Sequence, residues 1–152
     1  MFDPWQQIRG VEPLTPRPNR SRKQKSEKGK SKRKKTTILV VDDERLIADT
    51  MTEILKRSGY HVTCAYDGAS ALEMAIQHSP DIVLTDVVMP RMNGVQLAIA
   101  IREALPAAEV ILLSGQAGIS EIVERGRKAG YCFELIAKPI HPERLLQRLQ
   151  QT

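Results

Sequence analysis

The chain has 152 residues, of which 41% are hydrophobic, 27% charged and only 4% aromatic. This length and composition favour one compact globular domain with an aliphatic core and exclude the fibrous classes. No stretch reaches the roughly 18 apolar residues of a membrane span, and the N-terminus lacks the apolar run of a secretory signal. We therefore expect a cytoplasmic protein.

Cys64 and Cys132 stand far apart in apolar contexts, which favours buried free thiols over a disulfide or a zinc site.

Charge is concentrated at the amino terminus. Residues 1–37 contain twelve Lys and Arg but three acidic residues, a net charge of +9, whereas the remainder carries −4 and the whole chain +5. The run from Arg20 to Lys35 contains no large apolar residue, so this segment cannot bury enough surface to offset the entropy lost on ordering. We predict a disordered basic tail over residues 1–36 and a folded domain over residues 37–152.

From Thr37 onward, short apolar runs alternate with segments of helical period, a pattern typical of βα units around a parallel sheet. The predicted strands are Ile38–Val41, His61–Ala65, Ile82–Leu84, Val110–Leu113 and Phe133–Ala137. The first predicted helix follows the 3.6-residue spacing of apolar residues from Leu46 to Leu55 and stops at Ser58-Gly59. Three more helices end before Pro or Gly: Ala69–Gln77, Gly94–Ala104 and Ile119–Ala129. The fifth runs from Pro142 to Leu149. The fold class is therefore α/β, a doubly wound parallel sheet of five strands with five helices.

Residues that can carry chemistry directly follow four of the predicted strands. In doubly wound sheets ligands bind at the carboxyl ends of the strands. The residues at those ends are Asp42-Asp43, Asp86, Ser114-Gly115 and Lys138-Pro139. Clustered carboxylates raise one another's pKa unless a cation neutralises them, and a hard cation such as Mg²⁺ suits oxygen ligands. An aspartate in such a site can attack a phosphoryl group while an ammonium and a hydroxyl stabilise its oxygens.

Taken together, four segments closely resemble the receiver domain of bacterial two-component response regulators over residues 37–150. The segments are Ile38–Glu44, Asp86–Gly94, Ser114-Gly115 and Lys138-Pro139. The resemblance implies a CheY-like, flavodoxin-like sheet with strand order 2-1-3-4-5. It also implies a signalling receiver that assists its own phosphorylation and dephosphorylation, and not an enzyme that acts on a separate substrate.

Three residues match the phosphorylation chemistry of receivers. Asp86 matches the phosphoryl acceptor, Ser114 the hydroxyl that bonds the phosphoryl group after transfer, and Lys138 the ammonium that pairs with a phosphate oxygen. The lysine precedes Pro139 through a peptide bond that we expect to be cis. The aromatic residue that many receivers carry three positions before this lysine is replaced here by Leu135.

Other residues match the magnesium site of the family. The acidic pair Asp42 and Asp43 matches the ligands of Mg²⁺, with Asp43 the more direct one, and Asp86 and the backbone carbonyl of Val88 complete the set. The side chain of Val88 also occupies a position that influences attack of water on the acyl phosphate. Because an apolar side chain cannot orient that water, we expect a slowly decaying phosphorylated form.

The remaining aromatic and histidine residues favour structural roles. Phe133 and Tyr131 lie near Leu135, but a core ring at the start of a buried strand and a partly exposed loop residue are favoured over a substitute aromatic switch. The three histidines show no spacing typical of a metal site or a phosphorelay histidine; they are His61, His78 and His141.

The leading hypothesis is a stand-alone receiver, phosphorylated by a sensor histidine kinase or a histidine phosphotransfer protein. Only Gln150–Thr152 follow the fifth helix, so we expect output through an unknown downstream protein. One alternative is a phosphorylation-independent interaction module whose basic tail binds nucleic acid or anionic membrane. It is less favoured, since no aromatics interleave the charges for base stacking. A small hydrolase or phosphatase with Asp86 as nucleophile is weaker still, because no cap segment is found.

Overall fold

The structure, a computed structural model, describes residues 34–115 and 119–152. Its strands are β1 (Thr37–Val41), β2 (His61–Ala65), β3 (Ile82–Asp86), β4 (Glu109–Ser114) and β5 (Glu134–Ala137). Its helices are α1 (Arg45–Arg57), α2 (Gly68–His78), α3 (Gly94–Ala104), α4 (Ile119–Lys128) and α5 (Pro142–Gln150). Nearly all of the predicted basic tail lies outside the described residues. None of the described helices has the length and apolar character that crossing a membrane requires.

The five strands form one sheet in the order β2-β1-β3-β4-β5, and every neighbouring pair is parallel. This confirms the predicted fold class and strand order. The three inner strands are almost entirely buried, as expected where helices cover both faces of a parallel sheet. Successive side chains of a strand point to opposite faces. Leu39, Val41 and Val83 accordingly join one core cluster, and Ile38, Val40 and Leu84 join the other.

Helix ends are fixed by local polar contacts and by glycine. The Asp67 carboxylate accepts a hydrogen bond from the backbone N–H of Ser70 at 2.7 Å and caps α2. Asn93 and Gln96 form a reciprocal capping box at the start of α3, which satisfies backbone donors that have no partner within the helix. Gly59 ends the first helical segment with φ +97°, a left-handed conformation that favours glycine.

The last strand, β5, which forms one side of the sheet, differs from the prediction. The predicted last strand, Phe133–Ala137, is wrong at its start, since β5 begins at Glu134, and three of its four residues are exposed. Phe133 precedes the strand and is only half-buried, although it packs against the core. Because β5 is an edge strand, its exposed face includes Leu135, which is 45% accessible. An apolar run alone did not distinguish this edge strand from a buried inner one.

The cysteine prediction is right about the free thiols and wrong about their burial. Both cysteines are free, but Cys132 is exposed and Cys64 is only half-buried. Cys132 lies in the connection between α4 and β5, outside the sheet, and Cys64 lies on the other edge strand, β2. Both positions lack a neighbouring strand that would cover them on one side.

A charged network ties α5 to the sheet. The Arg148 guanidinium donates hydrogen bonds to the carboxylates of Glu134, at the start of β5, and Glu109, at the start of β4. Its Nη1 also donates to the Thr152 hydroxyl at 3.1 Å. These contacts connect the last helix to two adjacent strands through one side chain, with the bidentate geometry in which arginine–carboxylate pairs are strongest.

We predict that Arg148→Met lowers the free energy of unfolding by about 1 kcal/mol, the scale of a partly exposed ion-pair network. Urea unfolding measures the change. Arg144→Met is the matched control, because Arg144 lies on the same helix and forms no ion pair within the described residues. Equal midpoints for the two variants would contradict a stabilising role of the network.

Candidate functional site

Three carboxylates meet at the carboxyl edge of the sheet. Asp42 and Asp43 directly follow β1, and Asp86 is the last residue of the adjacent strand β3. The parallel register places the ends of β1 and β3 side by side. As a result, one carboxylate oxygen from each of the three aspartates lies within 4.8 Å of the others. The structure thus brings together the acidic residues that the sequence predicted for one site.

Lys138 joins this cluster from the other half of the sheet. Its Nζ lies 3.0 Å from Asp42 Oδ2 and 3.5 Å from Asp86 Oδ2, and its side chain is 20% exposed. The peptide bond to Pro139 is cis, as predicted. The backbone N–H of Lys138 donates to the carbonyl of Ser114 at 2.6 Å. The lysine therefore reaches the carboxylates from a backbone fixed to the end of β4.

Burial and charge together set the protonation of the site. Burial raises the pKa of Asp86; the nearby Lys138 ammonium opposes this, and the negative charge of Asp42 adds to it, so that the pKa lies above its usual value. Burial alone would lower the pKa of Lys138, but its hydrogen bond to Asp42 and the charges of both carboxylates outweigh that effect and raise it. The site thus holds a stably charged ammonium beside a carboxylate that is destabilised as an anion.

The turn after β3 is built around a close backbone approach. A Cβ atom on residue 94 would lie 2.0 Å from the carbonyl oxygen of Asp86, so only glycine fits there. The N–H of Gly94 donates to the carbonyl of Val87 at 2.8 Å. Arg91 takes a left-handed conformation with φ +67° within this turn. The first turn of α3 is therefore packed directly against the backbone that carries Asp86.

Two of the three carboxylates line a surface depression of about 570 Å³. Its walls include Asp43, Asp86 and Lys138, and Val88, 42% exposed, stands at its rim. Gly115 also lines it, whereas Ser114 is half-buried at the end of β4. A group the size of a phosphoryl oxyanion can reach Asp86 from solvent through this opening.

The donor set of the site fits a hard divalent cation. Three carboxylates face one ammonium, so two negative charges remain without a counterion among the described residues. Mg²⁺ binds through a small number of carboxylates and keeps several water ligands. Asp43, which is exposed and forms no ion pair within the described residues, is the carboxylate best placed to accept it.

Sequence reasoning missed two features of the site. Thr85, at the position before Asp86, is completely buried, and its hydroxyl donates to the Asp86 carbonyl at 3.0 Å. Leu46 and Ile47 line an apolar groove next to Lys138 and Pro139. The first was recognisable as a polar residue that continues the apolar run before Asp86. The second depends on the contact between α1 and the segment after β5, which no local pattern reveals.

A parallel sheet of this order, with three carboxylates and a lysine at the carboxyl ends of its strands, defines the CheY-like class of signalling domain. The model of the response regulator receiver domain family matches residues 38–150. The chain therefore belongs to the response regulator receiver domain family.

Relatives and solved structures agree with this assignment. The chain is 35% identical over 113 residues to the response regulator MprA of Mycobacterium ulcerans, covering 74% of this chain and 48% of that protein. The chain thus spans about half the length of this curated relative. The chemotaxis protein CheY4 of Vibrio cholerae superposes with a TM-score of 0.68 at 29% identity, over 77% of this chain and 98% of that chain. The activated DrrB receiver domain gives 0.65 at 31% identity, over 77% and 96%.

The raised pKa of Asp86 predicts a pH-dependent cost to folding. Because the pKa of Asp86 in the folded protein lies above its ordinary value of 3.8, the ionised carboxylate destabilises the fold above the folded pKa, and the cost vanishes as the pH falls below the unfolded pKa. Without divalent cations, Asp86→Asn should raise the free energy of unfolding near pH 7 by about 1 kcal/mol, the scale of one like-charge contact in a partly buried cluster.

Urea unfolding across this pH range tests the prediction, and the gain should shrink as the pH falls toward 3.8. Glu73→Gln is the control, since Glu73 is an exposed carboxylate on α2, outside the cluster. A gain of equal size for both variants, or a gain for Asp86→Asn that grows at low pH, would contradict the electrostatic account.

Proposed function

We propose that the chain accepts a phosphoryl group on Asp86 from a phosphohistidine of a sensor histidine kinase or a histidine phosphotransfer protein, in a Mg²⁺-dependent reaction. The observation that carries the proposal is the environment of the Asp86 carboxylate. It lies in a solvent-open depression within 4.8 Å of the Asp42 and Asp43 carboxylates and 3.5 Å from the Lys138 ammonium. This arrangement supports nucleophilic attack by one carboxylate and charge stabilisation by the remaining groups.

In the proposed reaction, a carboxylate oxygen of Asp86 attacks phosphorus and forms an O–P bond. The P–N bond to the donor histidine breaks, and its electron pair returns to the imidazole nitrogen. The Lys138 ammonium, already beside Asp86, pairs with a phosphoryl oxygen, and the Ser114 hydroxyl donates to another. Mg²⁺, when bound, supplies positive charge to the phosphoryl oxygens; Asp42, Asp43, Asp86 and the Val88 carbonyl would hold it.

Phosphorylation would change the surface formed by α4 and β5. It adds charge and acceptor oxygens beside Ser114, at the end of β4. There β5 pairs with β4 through Ser114 and Ala137. The exposed side chain of Leu135 belongs to this surface. An inward shift of Ser114 toward the phosphoryl group would therefore reach β5 directly, and a downstream protein would read the altered surface.

The acceptor assignment predicts a Mg²⁺-dependent modification. With acetyl phosphate and Mg²⁺, intact mass of the purified chain should show one added phosphoryl group. Asp86→Asn should show none, and Glu73→Gln, altered on the exposed face of α2, should match wild type. Removal of Mg²⁺ with EDTA should lower the rate by at least about tenfold, because the charge on the phosphoryl oxygens is then poorly neutralised.

The absence of modification in folded wild-type protein would overturn the proposal. It would favour the alternative of a phosphorylation-independent interaction module. Equal modification of Asp86→Asn would place the acceptor elsewhere.

An apolar groove next to the site supports the proposal that the phosphoryl donor is a protein. The groove, of about 450 Å³, lies between α1 and the segment that joins β5 to α5. Leu46, which is 80% exposed, and Met51 line it, together with Lys138 and Pro139 of the acidic site. Because Lys138 and Pro139 line both the groove and the depression, a helix seated in the groove would lie next to Asp86.

Leu46→Gln should therefore slow transfer from a phosphorylated histidine phosphotransfer protein by about tenfold, as burial of one leucine at an interface contributes about 1.5 kcal/mol. Transfer from acetyl phosphate should stay at the wild-type rate. Ile76→Gln, which alters another exposed apolar residue but on α2, is the matched control. Equal losses with both donors, or from both variants, would contradict docking in the groove.

Val88 predicts the lifetime of the phosphorylated form. Its apolar side chain stands at the rim of the depression beside Asp86 and cannot hydrogen-bond an attacking water. In Val88→Asn the amide can orient that water. Because an oriented nucleophile attacks faster, this variant should shorten the half-life of the acyl phosphate several-fold. Loss of radioactive label after removal of donor measures the half-life. A wild-type half-life of seconds, or an unchanged rate in Val88→Asn, would contradict this role.

A further inference from the structure

Thr85 places a hydroxyl where the fold calls for an aliphatic side chain. Its partners across the sheet are Val41 on β1 and Leu112 on β4, and both belong to the apolar core cluster on that face. Thr85 itself is 0% exposed. Valine has the same shape and lacks the desolvation cost of a buried hydroxyl. Packing therefore gives no reason for threonine at this position.

The hydroxyl contacts the backbone of the proposed phosphoryl acceptor. Thr85 Oγ1 donates to the carbonyl oxygen of Asp86 at 3.0 Å. The next carbonyl, that of Val87, accepts from the N–H of Gly94 at 2.8 Å. The N–H of the Asp86–Val87 peptide donates to the Leu113 carbonyl of β4 at 3.1 Å. The Thr85 hydroxyl therefore adds a second hydrogen bond on the carbonyl side of that peptide plane, and the next plane is held by the first residue of α3.

We propose that Thr85 is a positioning residue, which orients the Asp86 carboxylate by fixing the peptide plane that follows it. The inference rests on the proposed function of Asp86 and adds a residue to it. The hydroxyl contacts the Asp86 carbonyl and not its carboxylate. It restricts rotation of the planar Asp86–Val87 peptide about the single bonds that flank it. Small misplacements of a reacting group lower its rate steeply, so this hydrogen bond affects the rate of phosphorylation in addition to stability.

Thr85→Val removes the hydroxyl and keeps the side-chain shape. Its maximal rate of phosphorylation by acetyl phosphate with saturating Mg²⁺ should fall about tenfold, with little change in the acetyl phosphate concentration that gives half the maximal rate. Thr85→Ser restores the hydroxyl and should recover the wild-type rate within about twofold. Thr85→Ala gives the same test through a smaller side chain should Thr85→Val not fold.

Thr52→Val is the matched control. Thr52 is the other buried threonine of the described residues, and its hydroxyl donates at 2.8 Å to the carbonyl of Ala48 within α1, away from Asp86. It should leave the maximal rate at the wild-type value, whatever its effect on the thermal midpoint. All rates are measured well below the midpoint of the least stable variant, with circular dichroism confirming the fold.

The outcomes separate this inference from the function on which it rests. Wild-type protein that takes no phosphoryl group refutes the proposed function. Wild-type modification with a Thr85→Val rate equal to wild type refutes the positioning role alone. Equal slowing by Thr52→Val and Thr85→Val also refutes it, because the loss would then follow stability and not the contact with Asp86.

Discussion

The site depends on the mutual repulsion of three carboxylates held at one edge of a sheet. Asp42 and Asp86 are largely buried, with side chains 3% and 13% exposed, so solvent screens their charges weakly. Lys138 offsets part of this repulsion by pairing with both. The negative charge that remains favours binding of a divalent cation, and under the proposed function that cation would offset the charge that an acyl phosphate on Asp86 adds.

The scaffold resists this repulsion because its backbone is fixed on every side. The inner strands β1, β3 and β4 are buried between two core clusters, which leaves their carboxyl ends little freedom to separate. The close approach of Gly94 to the Asp86 carbonyl attaches α3 to the end of β3. The backbone N–H of Lys138 donates a hydrogen bond to the Ser114 carbonyl, which fixes the position of Lys138. The packing of the sheet therefore fixes the positions of the charged groups.

Much of this organisation could be predicted from the sequence. The centres of the buried inner strands are apolar, so β1, β3 and β4 were recognised, although β3 continues through Thr85 to Asp86, beyond the predicted end at Leu84. The carboxyl ends of such parallel strands meet at one edge of the sheet. The edge strand β2 was also predicted with its observed bounds, His61–Ala65. At the other edge the apolar run was misleading, because Phe133 precedes β5 and Leu135 is exposed. The sequence predicted that Lys138, Asp42 and Asp86 lie close together. It did not predict which of them form ion pairs, because the distances between the charged atoms depend on tertiary packing. The roles of Thr85 and of the groove at Leu46 depend on contacts that local patterns do not encode.

The most direct test of the account is to identify the modified residue chemically. The chain would be phosphorylated with acetyl phosphate and Mg²⁺, reduced with borohydride, which converts an aspartyl phosphate to homoserine, and mapped by peptide mass spectrometry. If Asp86 is the acceptor, homoserine will be found at position 86 alone. Homoserine at position 42 or 43, or a phosphoryl group that resists borohydride, would contradict the assignment of Asp86 as the acceptor.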